Sequence, residues 1–383
     1  MKRRELLKAA ASGTGLLFTA PPMLNRGRYR LFPETQTQYS GRSITLVGRA
    51  TVIDMMGVFA FTPPKDWLAE PESFTSADLQ RFKEMGVSIL HHAPGFLGTG
   101  AGGITRYLAR WNGFLAHHAD HLLRIDGLAS LDRVKTAGKV GVLLGLQSSD
   151  HFGTPEDVDF FFSVGQRVSQ LTYNTRNLIG SGCTERRDDG LSDFGVAIVQ
   201  RMNDRGMAID VSHCGDRTTL DALELSKKPV LITHSNCRAL NPGHPRCKSD
   251  EAIVKMASGG GVMGITMIRM FVSGAEPTSI EHVLDHFDHV AKLVGVEHLG
   301  VGSDIGVDGT EPTADEYRRL KSQYSGTYGF RDKMYIENLN HHRRIFDLTE
   351  GLIRRRYSDD AILGILGGNF RRALSHIWPN PRG

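Results

Sequence analysis

The chain reads as one α/β domain, a (β/α)8 TIM-type barrel. Three observations predict it. Eight short apolar, β-branched runs are spaced along the chain, helical patterns lie between them, and no Pro/Gly/Ser-rich linker or low-complexity segment interrupts the 383-residue chain after about Ser43. The expected boundaries are a lead at 1–32 outside the fold and a single domain over 43–378.

The strands are expected, in order, at ATVIDMM around Ile53, VSILHH around Ile89, VGVLLGLQ around Leu143 and VSQLTYN around Leu171, then at MAIDVSH, PVLITHS, GGVMGITM around Met263 and HLGVGSD around Val301. Helices are expected at SADLQRFKEMG, LSDFGVAIVQRMNDRG and SIEHVLDHFDHVAKLVG, each ending near a glycine that can take the left-handed C-cap. The Arg-rich IRRRY from Ile353 reads as the solvated end of a helix.

Residues that close the strands of such a barrel form its active-site rim. Here they are Asp54 to Met56, His91 and His92, Gln147, Tyr173 and Asn174, His213, His234, Thr266, and Asp304. The densest stretch is Gly206 to Leu240, a strand, helix and strand with His213 and His234 at the two strand ends. A lone strand-end His is ordinarily a structural, hydrogen-bonded residue. Two on consecutive strands, facing one cavity, point instead to a metal. The glycine cluster Gly259 to Gly261 precedes a strand, whereas a phosphate-cradling loop follows one, so a dinucleotide site is not expected.

A net charge of only +4, without a basic stripe interleaved with aromatics, argues against nucleic acid as a partner. Cys183, Cys214, Cys237 and Cys247 lack the paired short spacing of a zinc ribbon or a redox motif. They read as buried inert thiols, although Cys214 and Cys237 lie near the candidate ligands. At the N-terminus, Arg3 and Arg4 precede a mildly apolar Ala/Gly-rich run, which resembles a twin-arginine export signal. No later stretch is long and apolar enough to span a membrane. The expectation is a periplasmic or exported enzyme, with the twin-arginine export machinery as a partner.

Several passages carry a family resemblance: LSDFGVAIVQRMNDRGMAIDVSHCGD, PVLITHSNCRAL, HPRCKSDE, DHFDHVAKLVGVEHLGVGSDIGVDG and GGNFRRAL. Together, from about Thr51 to Leu374, they resemble the membrane (renal) dipeptidase family of zinc hydrolases. That resemblance implies a (β/α)8 metallohydrolase that cleaves dipeptides, some members accepting D-residues or β-lactams. Fold does not by itself fix activity. Members are often dimers, so a homodimer is a further expectation.

The resemblance also implies a two-zinc centre. One ion takes a His-x-Asp pair after the first strand, the other takes the histidines matching His213 and His234, and a glutamate closing the third strand bridges them. In this chain Met56 falls at the His position, Val58 at the Asp position and Gln147 at the bridging glutamate. A thioether is a poor zinc ligand, an isopropyl group is none, and an amide oxygen cannot balance two dications. The expectation is therefore one zinc at most, on His213 and His234, with Gln147 and His92 (or its neighbour His91) as possible extra ligands. Arg246 matches the arginine that clamps the substrate carboxylate, and Asp304 matches the acid that holds the substrate amine and moves a proton. Tyr173 replaces a substrate-contacting His and can donate to a developing oxyanion. The expected function is hydrolysis of a dipeptide or amino-acid-derived substrate. Epimerisation or other tailoring of a peptide-derived metabolite, or a catalytically inactive binding protein of the same fold, are the alternatives.

Overall fold

The computed structural model describes residues 27–31, 37–61, 65–95, 99–323 and 328–378. Eight parallel strands form the barrel: β1 (Ile53–Asp54), β2 (Ile89–His92), β3 (Val140–Leu146), β4 (Val168–Gln170), β5 (Ala208–Asp210), β6 (Ile232–Ser235), β7 (Met263–Ile265) and β8 (Leu299–Val301). Each falls within one of the eight apolar runs. Pairing runs without interruption from β6 through β7, β8, β1, β2, β3 and β4 to β5. The ring closes between β5 and β6 by a parallel bridge of Asp210 with Leu231, where Val211 N donates to Leu231 O at 3.0 Å and Leu231 N to Ile209 O at 2.9 Å.

Alternation along the strands divides the side chains between two cores. Ile53, Ile89, Leu143, Val168, Ala208 and Leu231 pack together, and Phe370, Leu374 and Trp378 of the C-terminal segment join them. Lys228, just before β6, donates to Ile377 O at 2.7 Å, so this plug sits at the N-terminal end of the strands. The larger core lies between the strands and the surrounding helices. Those helices start where the sequence offers caps: the Ser192 side chain accepts from Gly195 N ahead of Asp193–Arg205, and that helix ends on left-handed Gly206.

Arg28–Tyr29, placed in the lead by the sequence, pairs with Tyr39–Ser40 as a small antiparallel ribbon. Arg3, Arg4 and the export signal lie outside the described residues. The Arg-rich run after Ile353 is not merely solvated: Arg355 bridges to Glu281, Asp285 and Asp288 of a neighbouring helix. Among the described residues, no helix is long and apolar enough to cross a membrane.

Candidate functional site

The C-terminal ends of β5 and β6 bring His213 and His234 together, both buried, with their Nε2 atoms 3.0 Å apart. Their partners decide which nitrogen carries the proton. His213 Nδ1 lies 2.7 Å from Asn174 Oδ1, which also accepts from the Tyr328 hydroxyl at 3.1 Å and the Cys183 thiol at 3.4 Å. An amide oxygen only accepts, so His213 Nδ1 is the protonated nitrogen.

The logic on β6 runs through a buried carboxylate. Asp210 receives the hydroxyls of Ser212 (2.6 Å) and Thr233 (2.7 Å), together with the backbone N–H groups of both residues. Thr233 has thus spent its proton on Asp210, and its oxygen must accept from His234 Nδ1 at 2.8 Å. Both imidazoles then present an Nε2 lone pair to the same point. Two lone pairs cannot bond each other, so in this protonation the slot suits a shared cation. Burial first, then the charge of Arg246, holds both histidines well below the usual imidazole range, which disfavours a proton in that place. Two nitrogens on one tetrahedral zinc at ordinary bond lengths sit about 3.3 Å apart, a few tenths of an ångström from what is found. The pair fits one metal ion.

Tyr173 covers this pair, its ring stacked on His213 at a centroid distance of 4.2 Å. Arg246 is fully buried behind it. Its Nη1 donates to Ser212 O and its Nη2 to His234 O at 3.1 Å, so the guanidinium ties the two histidine-bearing strand ends. It lies 5.0 Å from the Phe271 ring, and its Nε is buried without a partner. Asp304 follows β8 in the left-handed region at φ 61°, uncommon for a residue with a side chain. Burial pushes its carboxyl up to about 7, with Arg246 pulling down and Asp54 adding to the rise.

The opposite arc of the mouth is built differently. Asp54 is buried and spent on Ser303, accepting from its N at 2.8 Å and its hydroxyl at 2.5 Å. Met56 is buried, and Val58 lies in a two-residue strand beside Ile305–Gly306. Gln147 Nε2 donates to Ala93 O at 2.8 Å. Strand alternation separates the two adjacent histidines of β2. His91 points inward, its Nδ1 donating to Met55 O at 2.6 Å and its Nε2 buried without a partner. Gly145 makes room for that ring, since a Cβ there would come within 2.1 Å of the His91 Nε2. His92 points outward, its ring 4.9 Å from Trp111 and its Nδ1 accepting from Phe59 N at 3.1 Å; burial pushes it down to about 3. It is removed from the candidate ligands by its face of the strand. Among the described residues, no three His, Cys, Asp or Glu side chains converge so as to hold a metal ion.

Other histidines and the cysteines are structural. His286 donates to Val272 O at 2.7 Å and accepts from Cys237 N, and His289 meets Asp250 at 2.8 Å. All four cysteines are free, three of them buried. Asn174, on the expected rim but without an assigned role, and Thr233 and Asp210 are the backing residues that sequence reasoning missed.

Comparison with known proteins agrees with this architecture. The family model described as membrane dipeptidase, Peptidase family M19, matches residues 104–325. Dipeptidase verJ of Clonostachys rogersoniana is 34% identical over 244 residues, 63% of this chain and 56% of that protein. An uncharacterised dipeptidase of Schizosaccharomyces pombe is 32% identical over 175 residues, 44% of this chain and 42% of its own length. The chain thus spans about half the length of the curated relatives it matches. Among solved structures, an amidohydrolase from Pseudomonas aeruginosa superposes with a TM-score of 0.76 at 26% identity, covering 88% of this chain and 99% of that one. The probable dipeptidase PvdM from the same organism shares the fold, with a TM-score of 0.71 at 18% identity over 88% of this chain and 97% of its own. With the matched segment running from the helix that follows β2 past β8, and the barrel it belongs to now described, the chain is a member of the membrane dipeptidase family.

Proposed function

We propose that this chain hydrolyses a dipeptide or amino-acid-derived amide at the mouth of the barrel, with one metal ion held by His213 and His234. The observation that carries this reading is the pair of Nε2 lone pairs 3.0 Å apart, each fixed by a partner on Nδ1. Metal-ligating histidines ordinarily have such outer partners. A zinc ion bound there would polarise the scissile carbonyl and acidify a water. The chain's own residues do the rest. Arg246 offers its fixed charge to a substrate carboxylate, Tyr173 a hydroxyl to the developing oxyanion, and Asp304, held near 7, exchanges a proton at neutral pH.

Met56 and Val58 supply no nitrogen or oxygen side-chain donor, and Gln147, whose Nε2 is tied to Ala93 O, offers only a neutral amide oxygen where a bridge between two dications needs a carboxylate. These three residues support a single ion rather than the family's pair. Elemental analysis of protein purified without added metal tests this. One equivalent of zinc per chain, together with turnover of a dipeptide or D-amino-acid-containing dipeptide, is expected. Two tightly held ions would overturn the reading of Met56, Val58 and Gln147. A metal-free chain that binds such peptides without cleaving them would place it among inactive binding proteins instead.

The pair Arg3 and Arg4 supports export of the folded chain to the periplasm. Replacing both with lysine should leave the precursor inside the cell, and unchanged export would exclude the twin-arginine route.

A further inference from the structure

Arg344 is the first residue of the helix Arg344–Arg354 and only 1% exposed. Its position is electrostatically poor in three respects. It is a buried cation, it has no carboxylate within ion-pair distance among the described residues, and it stands at the positive end of a helix. Burial pulls its pKa down, with the nearby charge of Asp54 opposing. An apolar side chain of similar length avoids all three costs, so the reason for an arginine there lies in the hydrogen bonds it makes.

What the guanidinium does have is three carbonyls. Nη1 donates to His341 O at 2.9 Å, and Nη2 donates to Ile305 O at 3.0 Å and to Gly306 O at 2.8 Å. Ile305 and Gly306 directly follow Asp304. On the other side, Asp54 grips Ser303 through its N–H and hydroxyl, and Asp304 N itself donates to Met56 O at 2.9 Å. The left-handed conformation of Asp304 persists only if its surroundings over-determine it. Two buried charged side chains, one before it and one after, provide that constraint.

We propose that Arg344 is a positioning residue for Asp304: by tying the carbonyls of Ile305 and Gly306 it holds the left-handed turn that keeps the Asp304 carboxyl in the barrel mouth. A lysine is a compact point charge and cannot span the same carbonyls as a planar fork, so it replaces the arginine only in part. This rests on the reading of Asp304 as the proton-handling carboxyl, which turnover by Asp304→Asn tests separately.

The experiment is a 13C NMR titration of the full chain labelled at aspartate Cγ, with the Asp304 signal identified by its loss in Asp304→Asn. The charged and titratable groups facing that carboxyl are Arg246, Asp54, Tyr328 and Tyr335. All are present in every Arg344 variant. Wild type should titrate near 7, and Arg344→Met should move the midpoint down by about one pH unit or more, as the loosened turn exposes the carboxyl to water. Arg344→Lys should fall between them. A folded Arg344→Met with the wild-type midpoint overturns the proposal, as does a wild-type Asp304 that titrates like an exposed carboxyl. Should Arg344→Met fail to fold, Arg344→Lys decides alone: an unchanged midpoint there is equally fatal.

Discussion

The two arcs of the barrel mouth make an instructive contrast. On β5 and β6, each histidine has a buried acceptor behind it, Asn174 for His213 and the Asp210–Thr233 pair for His234, so both Nε2 atoms are aimed and unspent. On β1 to β3, the polar groups are occupied by the protein itself: Asp54 by Ser303, Gln147 by Ala93 O, and His91 by Met55 O through its Nδ1. The inward Nε2 of His91 has no hydrogen-bond partner, and no group of three ligand-type side chains forms around it among the described residues. Ligands and their outer partners therefore stand or fall together. A side chain of the right type does not make a site unless something else fixes its proton and its direction.

The strongest challenge to that contrast is His213→Ala or His234→Ala. Either should lower metal affinity by more than about 100-fold, beyond the usual cost of losing an outer partner, and turnover should fall with it. Retained metal after either change would mean that the ion sits elsewhere. Next in size is the attempt to rebuild the other arc. Met56→His, Val58→Asp and Gln147→Glu together should raise the zinc content of the chain from one ion to two, and a count that stays at one would show that the backbone there has diverged along with the side chains.

Asn174→Ala keeps both ligands and removes only the backing of His213, so a loss of about 10- to 100-fold in metal affinity is expected by chelator competition. An effect on stability without any on affinity would contradict the proton assignment given to His213. Asp304 supplies a pH test. Its folded pKa of about 7 lies above that of the unfolded chain, so between about pH 4 and 7 the folded state binds the extra proton, and this contribution is lost as pH rises through that window. Asp304→Asn cannot ionise. Its melting temperature relative to wild type should therefore be higher at pH 8 than at pH 5, and a constant difference would argue that the carboxyl is not buried as described. The smallest effect is expected from Ser192→Ala, which removes the N-cap of the helix leading into β5. It should cost about 1 kcal/mol in chemical denaturation and leave metal content unchanged.

The eight strands and the C-terminal placement of His213 and His234 were legible because they rest on local patterns: short apolar runs, a histidine at the end of each of two, and a helix between them. Other features were not. His91 and His92 are neighbours of identical type in a run that is apolar on both faces, and only the strand's seating in the barrel shows that His91 enters and His92 leaves toward Trp111. Arg246 was expected to meet a substrate carboxylate. The structure gives it a second task, tying Ser212 O and His234 O, a contact no spacing rule reveals.

The sequence by itself determined the barrel, the family and which strand ends carry the candidate histidines, since periodicity and residue type act over a few neighbours. The tertiary structure alone decided which lone pairs are free. Asn174 lies 39 residues from His213, and Arg344 lies 39 from Ile305 and 38 from Gly306. Hydrogen-bond partners that distant are chosen by the closing of the ring, and the proton on each histidine follows from them.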